Sequence, residues 1–298
     1  MSEMRAIIRD IPLGRRRTEI GLVLRQAWFL IGCFLNSEVW SGYSDRDLKD
    51  LKVIDHNILR LITGAQAKVP SQMLYLETAQ LPIINVITVR RLLYLHTILT
   101  RHDTELIKQI YSAMKDDPIK GDWIHIVQKD MMDIDLNMSD DSISKLTKED
   151  FKKIIKEKVR KSAFIELEKV KQDHIKVKHI VHDNLNNPQN YLKSSLFTNK
   201  QSSLLFNLRS HCVNEFKRNF YNSDCPLCGK SEDTQEHALE CEDLIKHMSW
   251  EHNQGLQSVK YSDIYCEPEK QLRVTQVFSN IIQTREKLRI QNLPTTAS

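Results

Sequence analysis

The sequence predicts an all-α fold, a multi-helix array closed by a small stapled C-terminal subdomain. Three observations carry that expectation. Apolar residues recur at the 3.6-residue period along nearly the whole chain, while no apolar/polar alternation persists past about five residues. Glycine and proline are scarce, eight each in 298 residues, which leaves few of the tight turns a sheet-rich fold needs. Cysteine and histidine crowd into one short segment near the C-terminus, and a small subdomain needs such a staple because its own core is thin.

A basic arm, residues 1–18, contains Arg15-Arg16-Arg17 and precedes a helical domain over residues 19–183. The first helix runs from about Thr18 to about Asn36. Ile20, Leu22, Val23, Leu24, Ala27, Trp28, Leu30, Ile31 and Phe34 nearly encircle it, so burial on most sides is expected, with Cys33 as a small core residue. Ser44, with Asp47 three residues on, caps a second helix whose stripe is Leu48, Leu51, Ile54, Ile58, Leu61 and Ile62. Gly64 stops it. Pro70 and Pro82 open two further helices. The second of these carries Ile83, Val86, Ile87, Leu92, Leu95 and Leu99, with Arg90 and Arg91 facing outward.

Shorter helices are expected near residues 103–114 and 122–132. Thr147, with Asp150 at the capping-box position, then starts a long basic helix. Its buried stripe is Phe151, Ile154, Ile155, Val159, Ala163, Ile165, Leu167 and Val170. The turn-rich run HDNLNNPQN, residues 182–190, reads as the linker into a C-terminal region, residues 184–298. Leu204, Leu205, Phe206 and Leu208 begin a helix there, and an amphipathic helix over about 268–290 is the last.

Within that region, CPLCGKSEDTQEHALEC places Cys225, Cys228, His237 and Cys241 inside 17 residues, a C-x2-C-x8-H-x3-C array. Zinc takes four such ligands in a tetrahedron, with sulfur at ~2.3 Å and imidazole nitrogen at ~2.0–2.1 Å. Pro226 and Gly229 supply turn chemistry for the Cys-x-x-Cys pair, one fixing φ and the other allowing φ > 0. His237 and Cys241 stand i, i+4, so a helix presents both on one face, with Asp233 or Thr234 as its cap. Four ligands close the shell and leave no position for a substrate water, so one structural Zn2+ is expected. Cys241 is the economical fourth ligand. His211, Cys212 and His247 have no partner at ligand spacing and read as packing or solvated residues; Cys266 carries no assignment.

Composition bounds the rest. Hydrophobic residues make up 41% and charged residues 28%, which describes a globular chain with a real core. The longest apolar run, Gly21 to Leu35, contains Arg25 and is too short to span a bilayer, and no secretory signal opens the chain. No membrane partner is expected. A dense Cys/His cluster with few other cysteines points to an intracellular, reducing compartment, nucleus or cytoplasm alike. The net charge of +4 is unevenly spread. From Lys145 to Lys178 twelve basic residues face six acidic ones, and from Asp116 to Asp141 eight aspartates face two lysines. A basic stretch of that kind suits nucleic acid.

The string LRQAWFLIGCFLNSEVWSGYSDRDLKDLKVIDHNILRLITG resembles the thumb region of reverse transcriptases from non-LTR retrotransposons. Leu24-Arg25, Glu38 with Trp40, Leu51 to Asp55, and Leu59-Arg60 carry the likeness. PSQMLYLETAQLPI, RRLLYLHTIL and KGDWIHIVQKDM continue it. LLFNLRSH followed by the Cys/His segment looks like the linker and CCHC zinc module that close such polyproteins. The likeness covers about Gly21 to Leu244. Polymerase chemistry needs paired aspartates on a β-hairpin to hold two metals, in this family an aromatic-x-Asp-Asp motif. Here Asp116-Asp117 and Asp140-Asp141 are the only Asp-Asp pairs, and neither follows an apolar strand. Both read as turn or cap residues. The resemblance therefore implies a non-catalytic derivative without the polymerase palm.

The resulting expectation is a nucleic-acid-binding protein with no catalytic residues, its partner RNA or DNA. Arg25, Arg60, Arg90, Arg91, Lys152, Lys153, Lys156, Lys158, Arg160 and Lys161 are the candidate phosphate contacts. Phe216, Phe220 and Tyr221, beside the first cysteine pair, are candidates for stacking bases. The alternatives are a helical protein-interaction or structural module in which zinc is only a staple, and a retroelement fragment with no selected function. The histidines lack a nucleophile to serve and no glycine-rich phosphate loop occurs; His174, His179 and His182 are expected to face solvent.

Overall fold

The computed structural model describes residues 17–41, 45–117, 119–216 and 224–291, and across them the protein is all-α. The only strand-like pairing among them is an isolated antiparallel bridge, Asp224 with Glu232. The described residues open with α1 (Arg17–Leu24), a π-helical segment (Arg25–Phe29) and α2 (Leu30–Cys33). Then come α3 (Asp45–Thr63), α4 (Ser71–Thr78) and α5 (Ile83–Leu99). The cap expected at Ser44 lies outside the described residues, as do Arg15 and Arg16. Gly64 ends α3 as expected, at φ 70 with its N–H on the Arg60 carbonyl at 2.8 Å. Pro70 and Pro82 stand immediately before the first residues of α4 and α5.

Four helices follow: α6 (Leu106–Asp116), α7 (Trp123–Asp133), α8 (Asp140–Ser144) and the long α9 (Lys148–Lys171). Thr147 caps α9, its hydroxyl accepting the Asp150 N–H at 3.1 Å. The C-terminal part holds α10 (Asn190–Lys193), α11 (Asn199–Arg209), α12 (Gln235–Glu240), α13 (Glu242–Lys246), α14 (Trp250–Gln257) and α15 (Pro268–Gln291). Among the described residues no single helix is long and apolar enough to cross a membrane.

Among the described residues the core forms three clusters. Phe29, Leu30 and Phe34 pack with Ile58 and Ile62 of α3 and Ile83 and Ile87 of α5. Leu92, Leu95 and Leu99 meet Phe151, Ile155 and Val159 through residues of α6 and α7. The third cluster joins Leu74 and Leu76 of α4, Ala163 and Leu167 of α9, Leu205 of α11, and Phe278 and Ile281 of α15. It spans both sides of residue 184, so the two regions share one core there.

Each cluster is pinned by a buried ion pair. Arg25 donates twice to Asp55, at 2.6 and 2.7 Å, and reaches Gln80 and the Leu81 carbonyl. Arg91 pairs with Asp130, which also accepts from Thr88 at 3.2 Å. Glu77 accepts from Arg209 at 2.9 Å, from Tyr191 at 2.6 Å and from the Nε2–H of His182 at 3.1 Å. Burial alone would raise the Glu77 carboxyl, but the Arg209 charge and the His182 bond outweigh it and hold the carboxyl at about 2.

Several sequence expectations change here. The first helix is not buried on most sides: Val23, Trp28, Ile31 and Leu35 are exposed, and Cys33 with them. Its buried face is set by Arg25, which turns inward to Asp55, and the helix takes a π-type turn at that residue. Arg91 faces inward, fully buried, because Asp130 meets it there. Ile165 and Val170 are exposed, since the buried row of α9 advances by four residues and misses both. The 182–190 run packs into the core: His182 and Leu185 are buried, and the Gln189 N–H donates to the Glu77 carbonyl at 2.8 Å. His174 and His179 do face solvent.

Candidate metal centre and basic surface

The turn at 225–231 is built as the spacing suggests. The Cys225 N–H donates to the Ser231 carbonyl at 2.7 Å, the Gly229 N–H to the Cys225 carbonyl at 2.8 Å, and Gly229 takes φ 63. That folds Cys228 back toward Cys225, and the Lys230 N–H points at the Cys228 sulfur from 3.5 Å. Thr234 then caps α12, its hydroxyl accepting the His237 N–H at 3.0 Å. His237 sits in the first turn of α12 and Cys241 ends it, one turn apart. Cys241 also starts α13, its carbonyl accepting the Ile245 N–H at 3.0 Å.

The ligand atoms of Cys225, Cys228, His237 and Cys241 all lie within 4.8 Å of one another and could hold one metal ion. The sulfurs of Cys225 and Cys241 are 3.8 Å apart, and Nε2 of His237 is 3.4 Å from the Cys228 sulfur. Separations of this size are what four ligands on ~2.0–2.3 Å bonds require. The amide of Lys230 draws the Cys228 thiol down to about 7, while burial pushes Cys241 up to about 11. A metal would displace the protons from these thiols. Cys212 stands apart with its thiol on the Lys68 carbonyl, Cys266 bonds locally to the Ser262 carbonyl, and His247 is exposed. The predicted set is the set that converges.

The module is seated on the shared core. Cys225, Ala238, Cys241 and Leu244 are buried in the same cluster as Val274 and Phe278 of α15. Asp233, one residue before the cap, takes both Arg285 nitrogens at 2.8 Å. Arg285 lies over the Phe216 ring at 4.6 Å, and Phe216 packs against Phe278. That placement makes Phe216 a packing residue. Phe220 and Tyr221 lie outside the described residues.

The ten expected phosphate contacts divide. Arg25 and Arg91 are buried and ion-paired, as above. Arg90 is half-buried with its guanidinium on the Phe34 and Leu30 carbonyls, and Arg60 donates to the Val69 carbonyl at 3.0 Å. Arg25 and Arg91 are thus withdrawn from solvent, and Arg60 and Arg90, partly exposed, spend hydrogen bonds on carbonyls of neighbouring segments. On α9, Lys158 is tied to Asp135 and Lys153 lies 3.6 Å from Asp150. Lys152, Lys156 and Lys161 are exposed and Arg160 is half-exposed. Lys148, not among the ten, is exposed as well and stands i, i+4 from Lys152, a spacing the sequence displays. The Asp-Asp pairs are end residues: Asp140 and Asp141 open α8 and pair with Lys115 and Lys145, and Asp116 closes α6. No family model, curated protein or solved structure matches the chain.

Proposed function

We propose that this protein binds nucleic acid without catalysing its synthesis, and that its Cys3His cluster holds one structural zinc. The observation that carries the binding reading is the set of exposed, unpaired cations along α9. The donor set supports zinc: three thiolates and an imidazole in a closed shell suit that ion above harder divalent cations. Derivation from the C-terminal part of a non-LTR retrotransposon reverse transcriptase fits the resemblance from about Gly21 to Leu244. It also accommodates the absence of an aromatic-x-Asp-Asp motif from the sequence.

A second reading, a helical protein-interaction module, is favoured by one observation. Val23, Trp28 and Ile31 of the first helical segment and Leu35 of the turn that follows it are exposed apolar residues, and grouped exposed apolar surface marks interaction sites. A salt-titrated binding assay against RNA, single-stranded DNA and duplex DNA, with an unrelated protein as control, separates the two. Nucleic-acid binding that weakens steeply with salt supports the first; no detectable binding at 50 mM salt sinks it.

A further inference from the structure

Helix α9 sorts its residues into four rows at i, i+4 spacing, and the rows have four different fates. Phe151, Ile155, Val159, Ala163, Leu167 and Lys171 form the buried row. In the row of Asp150, Ile154, Lys158 and Ser162, the last two meet the 133–135 turn, where Lys158 donates to the Asp135 carbonyl at 2.6 Å and Ser162 to that of Asp133 at 3.0 Å. Glu149, Lys153, Glu157 and Lys161 alternate in sign and offset one another. The fourth row is Lys148, Lys152, Lys156 and Arg160, four cations without an acid among them. The three lysines are exposed, Arg160 is half-exposed, and the ion pairs of this helix go to Lys153, Lys158 and Lys171 instead.

Like charges at that spacing destabilise a helix; burial and the charges of Lys152 and Arg160 hold Lys156 below its ordinary value. A polyanion laid along the row would relieve that repulsion. At ~1.5 Å per residue the row steps about 6 Å at a time and extends about 18 Å along the axis, winding round the helix by about 40° at each step. It offers no stacking platform. The next member, Phe164, is turned toward the shared core, whereas proteins that hold single strands combine charge with exposed aromatics.

The metal module has the opposite character. From Asp224 to Lys246 seven acidic residues stand against Lys230 and Lys246. Three thiolates on one divalent ion would leave a net charge of about −1 there, and Asp233 is taken by Arg285. A phosphate backbone is repelled there.

We infer that the protein grips the phosphate backbone of double-stranded nucleic acid through Lys148, Lys152, Lys156 and Arg160, indifferent to base sequence, with the metal module standing clear. The inference rests on the nucleic-acid reading above and adds the residues, the duplex and the exclusion of the module. The test is fluorescence anisotropy on the full chain with a labelled 20-base-pair duplex and the corresponding single strand, titrated with salt. Four contacts give a log–log slope of about −3.6 on the duplex, at ~0.9 per phosphate.

Joint replacement of Lys148, Lys152, Lys156 and Arg160 by Gln should abolish that slope. Lys153→Gln with Lys161→Gln, and Lys230→Gln with Lys246→Gln, should leave it within about one unit. If the joint variant loses its helical circular dichroism, Lys152→Gln and Arg160→Gln singly must each lower the slope by about 0.9. Failure of the unaltered protein to bind any nucleic acid removes the reading itself. Binding that survives in the row variants, or is lost in the Lys230/Lys246 variant, overturns the row assignment while leaving the reading intact. Equal affinity for duplex and single strand overturns the duplex assignment.

Discussion

Arg285 and Asp233, 52 residues apart in sequence, meet in a two-bond pair with both bonds at 2.8 Å. The pair joins the last helix to the loop that carries the Thr234 cap, and so fixes the helix that presents His237. Both side chains are about nine-tenths buried, and removing one partner of such a pair strands the other charge. Arg285→Ala is therefore expected to destabilise the protein by about 3 kcal/mol, with Arg285→Ala/Asp233→Ala costing less than Arg285→Ala alone. Urea unfolding of both single variants and the double variant decides it; a double loss equal to the sum of the two single losses would show that the pair does not couple the two elements.

Glu77 gives a pH dependence whose sign is fixed by its lowered pKa. Its carboxyl titrates at about 2 in the folded chain against 4.5 as the ordinary value. Stability from this group is therefore fully present above about 4.5 and lost as the pH falls toward 2, about 3 kcal/mol in all. Glu77→Gln should be strongly destabilised at pH 7 yet show a flatter stability curve between pH 5 and pH 2.5. Unfolding midpoints across that range are the measurement, and parallel curves for variant and parent would refute the assignment.

The metal ligands were legible in the sequence because all four sit in a local segment whose turn and cap chemistry is also local. Gly229 and Thr234 do what their residue types suggest. The helices of the first two hundred residues were legible for the same reason, through stripes and caps such as Thr147. What could not be read was pairing at a distance. Arg25 and Arg91 look like surface cations until Asp55 and Asp130 arrive from 30 and 39 residues away. His182 looks like a linker residue until Glu77, 105 residues earlier, takes its Nε2–H. Periodicity also overstates burial where a helix is apolar all round, as Trp28 and Ile31 demonstrate.

Arg60 and Arg90 separate structural arginines from phosphate-binding ones. Each donates to backbone carbonyls of a neighbouring segment, so Arg60→Gln and Arg90→Gln should lower stability by about 1–3 kcal/mol. Neither should change the salt slope of nucleic-acid binding. A slope reduced by about 0.9 in either variant would return that arginine to the phosphate contacts.

The exposed apolar residues of the first helical segment and its following turn should tolerate polar replacement. Ile31 is 54% and Leu35 68% exposed, so Ile31→Gln with Leu35→Gln should change stability by no more than about 0.5 kcal/mol. The same variant should bind less of a dye that reports exposed apolar surface. A loss of several kcal/mol would mean that these residues are covered in solution.

Replacing Cys228 tests the centre as a whole. One zinc per chain is expected by elemental analysis, and Cys228→Ser or Cys241→Ser should bring it close to zero. Structural zinc is worth ~10–16 kcal/mol in isolated finger peptides, far more than the few apolar residues of the 225–241 segment could supply. The shared core widens the consequence. Cys225, Ala238 and Cys241 pack in the cluster that also holds Phe278 and Ile281, so metal loss should loosen α15 along with the module. Limited proteolysis of Cys228→Ser should therefore cut first within 224–291, while α5 and the first half of α9 up to Val159, packed together in a cluster that draws nothing from that segment, stay intact. His247→Ala and Cys212→Ala should each keep the metal. A chain that retains zinc without Cys228 or Cys241, or loses it without His247, would show that the ligand set is not the one that converges here.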